Sequence, residues 1–103
     1  AFLVAVVVST AANTCTTVYL HRALSHRALT LRPSIALVFR AVLWLSTGIK
    51  PKEWVAVHRK HHAYTDIEGD PHSPVLLGWK TVQTKNVALY RASVLDPSTI
   101  DRY

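Results

Sequence analysis

How the chain folds depends on residues 33–49, which read PSIALVFRAVLWLSTGI. This segment is almost wholly apolar, but it is only about 17 residues long, and a helix that crosses the roughly 30 Å hydrocarbon core needs about 20. Arg40 lies near its middle, where insertion scales assign an arginine about 2.5 to 3.5 kcal/mol. A spanning helix is therefore marginal here. Gly48, Lys50 and Pro51 end the segment, and a new helix is expected to begin near Lys52.

N-terminal to this segment, residues 1–20 carry no charge and are long enough to form a transmembrane helix. A signal peptide would need a basic start and a small-residue cleavage site, and a buried core helix is the other alternative. All 12 Lys and Arg residues lie after residue 20. The positive-inside rule then places the rest of the chain on the cytoplasmic face. Because the chain lacks Met and begins within an apolar run, we expect it to be an internal fragment.

The six histidines are concentrated on both sides of residues 33–49. Five of them form two boxes, His21-x4-His26 within residues 21–32 and His58-x2-His61-His62 within residues 52–74. Neutral imidazole is a common ligand for redox metals, and the lone Cys15 supports neither a disulfide framework nor a zinc site. No Cys-x2-Cys or His-Glu-x2-His occurs, and zinc hydrolysis would be expected to use a carboxylate base within the boxes. The pattern favours a nitrogen-ligated iron site.

The two boxes limit the topology of the segment between them. If residues 33–49 crossed the bilayer once, the boxes would lie on opposite sides and could not share a site. We therefore expect an interfacial or re-entrant helix, with Arg40 reaching the headgroups. The predicted fold is all-α: one transmembrane helix leads into cytoplasmic or interfacial helices that carry the histidines.

Helical geometry indicates more than one metal ion. On a helix that begins near Lys52, His58, His61 and His62 share a face, while Lys52, Arg59 and Lys60 point away toward headgroups or an acidic electron donor. His61 and His62 nevertheless diverge by about 100°. The first-box pair diverges by about 140°, which favours two ions or a locally distorted helix.

The loop after the second box contributes candidate supporting groups. Asp66 or Asp70 could accept a hydrogen bond from a ligating imidazole, but Gly69-Asp70-Pro71 is also simple turn chemistry. His72 could support a ligand, contact a substrate phosphate or be an ordinary loop residue. Residues 75–103 mix apolar and basic side chains and predict an amphipathic cytoplasmic segment, interrupted where Asp96-Pro97-Ser98 could cap another helix.

These motifs resemble the membrane-bound acyl-CoA (delta-9-type) fatty acid desaturases. The resemblance is carried by His21-Arg-Ala-Leu-Ser-His26, Trp54-Val-Ala-Val-His-Arg-Lys-His-His-Ala-Tyr-Thr-Asp66 and Gly69-Asp-Pro-His-Ser73, at close to the family's spacing. Related alkane hydroxylases and sterol oxidases share the two-box pattern, but the first-box gap and the Asp-Pro-His continuation favour the acyl desaturases.

The resemblance implies a di-iron, O2-dependent enzyme that forms a double bond in a saturated acyl chain. By matching position, the iron ligands would be His21, His26, His58, His61 and His62. Its substrate would be an acyl-CoA or acyl-lipid, and its electrons would come from a donor such as ferredoxin or cytochrome b5 with its reductase. Its other partner would be membrane lipid, and no nucleic acid is expected. The family's third box has no counterpart before Tyr103, so this fragment alone is expected to be inactive. A related membrane hydroxylase and a non-enzymatic metal-binding membrane segment are the alternatives.

Overall fold

A computed structural model describes residues 1–103 and contains helices and loops but no strand. The predicted all-α fold is confirmed. The chain divides into two compact units, Ala1–Trp54 and Val55–Tyr103. The helical elements are α1 (Phe2–Cys15), a π-helix (Thr16–Ser25), α2 (Pro33–Thr47), α3 (Pro51–Ala63), α4 (Pro74–Leu77), α5 (Trp79–Leu95) and α6 (Pro97–Arg102).

The N-terminal unit begins with an apolar helical run, Phe2–Ser25, the one helix long and apolar enough to cross a membrane. Large side chains such as Phe2 and Leu3 are exposed along α1, as lipid contact would require. A second span would exist only if α2 and α3, which are bent at the break between them, counted as one. The helix does not end at residue 20 as the sequence indicated. It continues through the first histidine box, because the backbone changes to a π-helix instead of unwinding.

The core of this unit forms where the π-helix and α2 meet. Its buried side chains are Cys15, Tyr19, Leu20 and Leu43. The Tyr19 ring lies 6.2 Å from that of Phe39, between ring centroids. Leu20, immediately before the first box, is fully buried, so packing fixes the helix at the point where the histidines begin.

Helix α2 begins and ends where the sequence predicts. Pro33 is in its first turn, where the missing N–H costs nothing, and Gly48 follows its last residue with φ 68°. The Gly48 amide donates to the carbonyls of Leu43 and Trp44, both at 3.2 Å. This left-handed cap stops the helix, and α3 starts three residues later at Pro51.

In the C-terminal unit, the segment predicted as a single amphipathic stretch is interrupted. Gly78, with φ 83° and ψ 140°, separates α4 from α5, and Lys85 has non-helical angles inside α5. Asp96 then caps α6, where its carboxylate accepts from the amide of Ser98 at 3.0 Å. The capping role proposed for Asp96-Pro97-Ser98 is thus confirmed.

Lys60, which was predicted to point away from the ligand face toward headgroups or an electron donor, has a partner within the protein. Its ammonium lies 3.2 Å from Asp96 Oδ2 and 2.9 Å from the hydroxyl of Thr99, and its side chain is only 17% exposed. Arg59 donates to the main-chain oxygen of Tyr103 at 3.3 Å. Lys60 and Arg59 therefore connect α3 to the C-terminal residues within one unit. The sequence near Lys60 does not indicate Asp96 as its partner. Lys52 remains exposed.

Candidate metal centre

The first histidine box lies at the end of the π-helix. In such a helix the backbone bond joins residues i and i+5, and the amide of His26 donates to the carbonyl of His21 at 3.1 Å. The hydroxyl of Ser25 donates to the carbonyl of Leu20, also five residues back, at 2.8 Å. The wider turn brings His21 and His26 onto the same face, so that their Nε2 atoms are 3.1 Å apart. An ideal α-helix would separate these rings by about 140°.

The second box uses ordinary α-helical spacing. His58 and His62 are four residues apart on α3, and their Nε2 atoms are also 3.1 Å apart. Their ring centroids lie 4.6 Å apart at 72°, close to the 4.6 Å and 84° of the first-box pair. Two different helix types therefore produce the same arrangement of two imidazoles.

Each pair fits one metal ion by distance and by chemistry. Two nitrogens bound at about 2.1 Å to one ion and at a right angle to each other are roughly 3.0 Å apart. Both Nε2 separations, 3.1 Å, match adjacent ligand positions. Neutral imidazole is a suitable ligand for iron. The residues present could therefore hold iron through two bidentate histidine pairs.

His61 points elsewhere, as its angular separation from His62 requires. Its Nδ1 lies 2.8 Å from Oδ1 of Asp70, and its ring stacks on that of His72 with centroids 4.4 Å apart and planes at 22°. One potential ligand atom from each of these three residues lies within 4.8 Å of the other two. The histidines of the second box thus divide into a pair and a separately held third ring.

Asp70 is the centre of the loop that follows the box. Its side chain is fully buried, and its two oxygens accept from three donors: Nδ1 of His61, the amide of His72 at 3.1 Å and the amide of Asp66 at 2.9 Å. Burial opposes ionisation, but the hydrogen bonds from these donors outweigh it and hold the pKa of Asp70 below its usual value. Burial, together with the nearby His61, lowers the pKa of His72. The carboxylate is therefore an ionised acceptor beside a neutral His72.

The loop backbone takes its shape from two left-handed residues. Asp66 has φ 59° and Gly69 has φ 102°. The backbone angle of Gly69 favours glycine, and a Cβ there would lie 3.1 Å from Cδ1 of Tyr64, so the Tyr64 ring would have to move by a few tenths of an ångström. This turn brings Asp70 within hydrogen-bonding distance of His61. The sequence signal for the turn is the Gly69-Asp70-Pro71 tripeptide.

The other predicted supporting residue has a different partner. Asp66 Oδ1 accepts from the hydroxyl of Ser73 at 2.7 Å, and Ser73 Oγ accepts from the amide of Leu76 at 3.2 Å. Ser73, which was not among the predicted supporting residues, is fully buried and caps α4. A serine directly before proline was the available signal for this cap.

Comparisons with known proteins agree with the motif resemblance. The family described as Fatty acid desaturase matches residues 1–99. Delta-9 desaturase-like 2 protein of Arabidopsis thaliana is 35% identical over 79 residues, which cover 77% of this chain and 26% of that protein. Delta-9 acyl-lipid desaturase 1 of the same plant is 38% identical over 74 residues, 72% of this chain and 24% of that protein.

One relative is named for a different reaction. Hex-5-enoyl-[acyl-carrier protein] acetylenase of Moorena producens is 40% identical over 55 residues, 53% of this chain and 17% of that protein. No solved structure matches. The chain spans about a quarter or less of the length of these curated relatives. The matched region includes both histidine boxes, and the chain belongs to the fatty acid desaturase family.

Proposed function

We propose that the protein containing this chain is a fatty acyl desaturase that forms a double bond in an acyl chain with O2 and two electrons. The observation that carries the proposal is the two histidine pairs, each with Nε2 atoms 3.1 Å apart, in a chain of this family. Names of relatives include an acyl-CoA desaturase, acyl-lipid desaturases and an acyl-carrier-protein acetylenase. The shared substrate class is therefore an activated or lipid-bound acyl chain.

The proposed ligands to two iron ions are His21, His26, His58, His61 and His62. When bound, iron supplies the oxidising power that an unactivated C–H bond requires and that acid-base catalysis cannot provide. In the overall reaction two adjacent methylenes each lose one hydrogen, and O2 takes up these two hydrogens, two electrons and two protons to give two waters. A redox partner such as ferredoxin or cytochrome b5 with its reductase is the proposed source of the electrons.

The protein's own contribution is to hold ligands and to place the acyl chain. The buried residues Tyr19 and Leu20 fix the first box from inside, and the buried run Val55, Ala56 and Val57 precedes His58. The exposed apolar run of α1 suits a membrane, where acyl chains reside. We place the boxes on the cytoplasmic face because the basic residues all follow residue 20.

A second candidate is a related membrane hydroxylase, since that chemistry needs the same kind of iron centre. Fatty acid products of the full-length protein separate the two. Expression with an acyl substrate and a reducing system should give an alkene, and an alcohol as the main product would refute desaturation.

The matched variants are His58→Ala, which removes one ligand of a pair, and Gln83→Ala, an exposed position on α5. His58→Ala should abolish alkene formation and lower the iron bound per protein, whereas Gln83→Ala should change neither. Normal iron content and turnover in His58→Ala would refute the proposed ligand set.

A further inference from the structure

We propose that Asp70 and His72 are positioning residues for His61, holding its ring so that Nε2 is the nitrogen available to iron. The inference rests on the proposed iron site and adds how one ligand is oriented. Two properties of a histidine ligand must be fixed before it can bind a metal ion: which ring nitrogen carries the proton, and how the ring is rotated. Hydrogen bonding and stacking control these two properties separately.

The proton position follows from the donors around Asp70. Its carboxylate already accepts from two backbone amides, those of Asp66 and His72, and is shielded from water. An ionised carboxylate can only accept, so the group 2.8 Å away on His61 must donate. Nδ1 therefore carries a hydrogen, which leaves Nε2 as the nitrogen through which His61 would bind a metal ion. The two chelating pairs also meet at Nε2, so all five box histidines present the same nitrogen.

The ring rotation follows from the stack with His72. The two planes are within 22° of parallel at a centroid distance of 4.4 Å. Lone pairs of imidazole nitrogens lie in the ring plane, so two stacked rings direct them side by side and not toward a common ion. His72 therefore serves as a flat surface against which His61 rests, and the geometry disfavours a role as a sixth histidine ligand.

The loop is built to keep this support rigid. Asp70 ties together both ends of the turn, from Asp66 to His72, and joins it to the end of α3 through His61. Asp66 continues the network to Ser73, which caps the next helix. Carboxylates that fix a ligating imidazole in this way commonly change metal affinity or activity about 10- to 100-fold when removed.

The test uses the full-length protein, with Fe(II) affinity measured by competition against a chelator. Asp70→Ala should weaken Fe(II) binding about 10- to 100-fold. Asp70→Asn, which keeps one acceptor oxygen, should recover part of that loss. Asp96→Asn is the matched control, because this carboxylate binds Lys60 and Ser98 and no imidazole, and it should leave the affinity unchanged.

His72 is tested by separating ring shape from ring nitrogens. His72→Phe keeps a flat ring and should retain Fe(II) affinity, whereas His72→Ala removes the stack and should weaken it. A loss in His72→Phe as large as that in His61→Ala would make His72 a ligand and overturn its positioning role.

A readout without metal keeps the inference independent of catalysis. In metal-free protein labelled with 15N-histidine, the His61 signals, assigned by comparison with His61→Gln, should show the hydrogen on Nδ1. Asp70→Ala should shift the tautomer ratio while circular dichroism stays that of the unchanged fold. An Nε2–H tautomer in the unmodified protein, or affinity and tautomer both unaffected by Asp70→Ala, would overturn the proposal. An alcohol product would refute desaturation but leave this orientation standing.

Discussion

Replacing Gly69 by alanine tests whether the turn below His61 depends on a glycine. Gly69 has φ 102°, outside the range that alanine adopts easily, and a new Cβ would lie 3.1 Å from Cδ1 and 3.3 Å from Cγ of the Tyr64 ring. A residue held in such a backbone region costs about 1 to 3 kcal/mol. The ring contact adds to that cost unless Tyr64 moves. We therefore expect the turn to open far more often in Gly69→Ala.

Hydrogen exchange of the Asp66 and His72 amides measures this opening directly, because both donate to Asp70. At tenfold per 1.4 kcal/mol, a cost of 1 to 3 kcal/mol accelerates their exchange about 5- to 150-fold. Exchange mass spectrometry on peptides spanning residues 64–73 provides the assay.

Gly48→Ala is the control for the same chemical change elsewhere. Its φ is 68°, and a Cβ there would meet nothing within 4 Å. It should leave exchange in residues 64–73 unchanged and weaken only the end of α2. Unchanged exchange of the Asp66 and His72 amides in Gly69→Ala would refute the reasoning that the turn requires glycine.

Three further predictions concern the ligands, the acid stability and the topology. His58→Ala in the full-length protein should lose the iron held by its pair, and metal analysis checks this. Hydrogen bonds from Ser98 and Lys60 lower the pKa of Asp96 in the folded protein. The ionised carboxylate therefore stabilises the fold fully at pH values above the pKa of an unfolded aspartate, about 4. This stabilisation is lost as the pH falls through the lower pKa of the folded state. Asp96→Asn should flatten that part of an acid unfolding curve. Cysteines at Ser34 and Lys50, in a background without the native cysteine, should both react with an impermeant reagent from the cytoplasmic side; reaction from opposite sides would show that residues 33–49 cross the membrane.

Short-range signals in the sequence determined much of this structure. Pro33 and Gly48 fix the two ends of α2, and Asp96-Pro97 starts α6, because a fixed φ, a left-handed cap and a capping carboxylate each act within one turn. The 100° separation of adjacent helical residues likewise predicted that the His61 and His62 rings diverge, and the prediction that they address two neighbouring ions stays a prediction. The four-residue gap between His21 and His26 indicated two ions or a distorted helix, without deciding between them.

Tertiary structure decided what local rules left open. The π-helix brings His21 and His26 together. It occurs where Tyr19 and Leu20 are buried in the same cluster as Leu43, so the change of helix type coincides with contacts between residues that are far apart in the sequence. Lys60 finds its carboxylate 36 residues away, and no periodicity on α3 reveals such a partner. Asp70, and not Asp66, contacts an imidazole because the left-handed turn brings the Asp70 carboxylate within hydrogen-bonding distance of His61. The Asp66 carboxylate accepts from Ser73 instead. The spacing of residues in the sequence thus identified the candidate histidines and carboxylates, and the folded backbone determined which of their atoms are in contact.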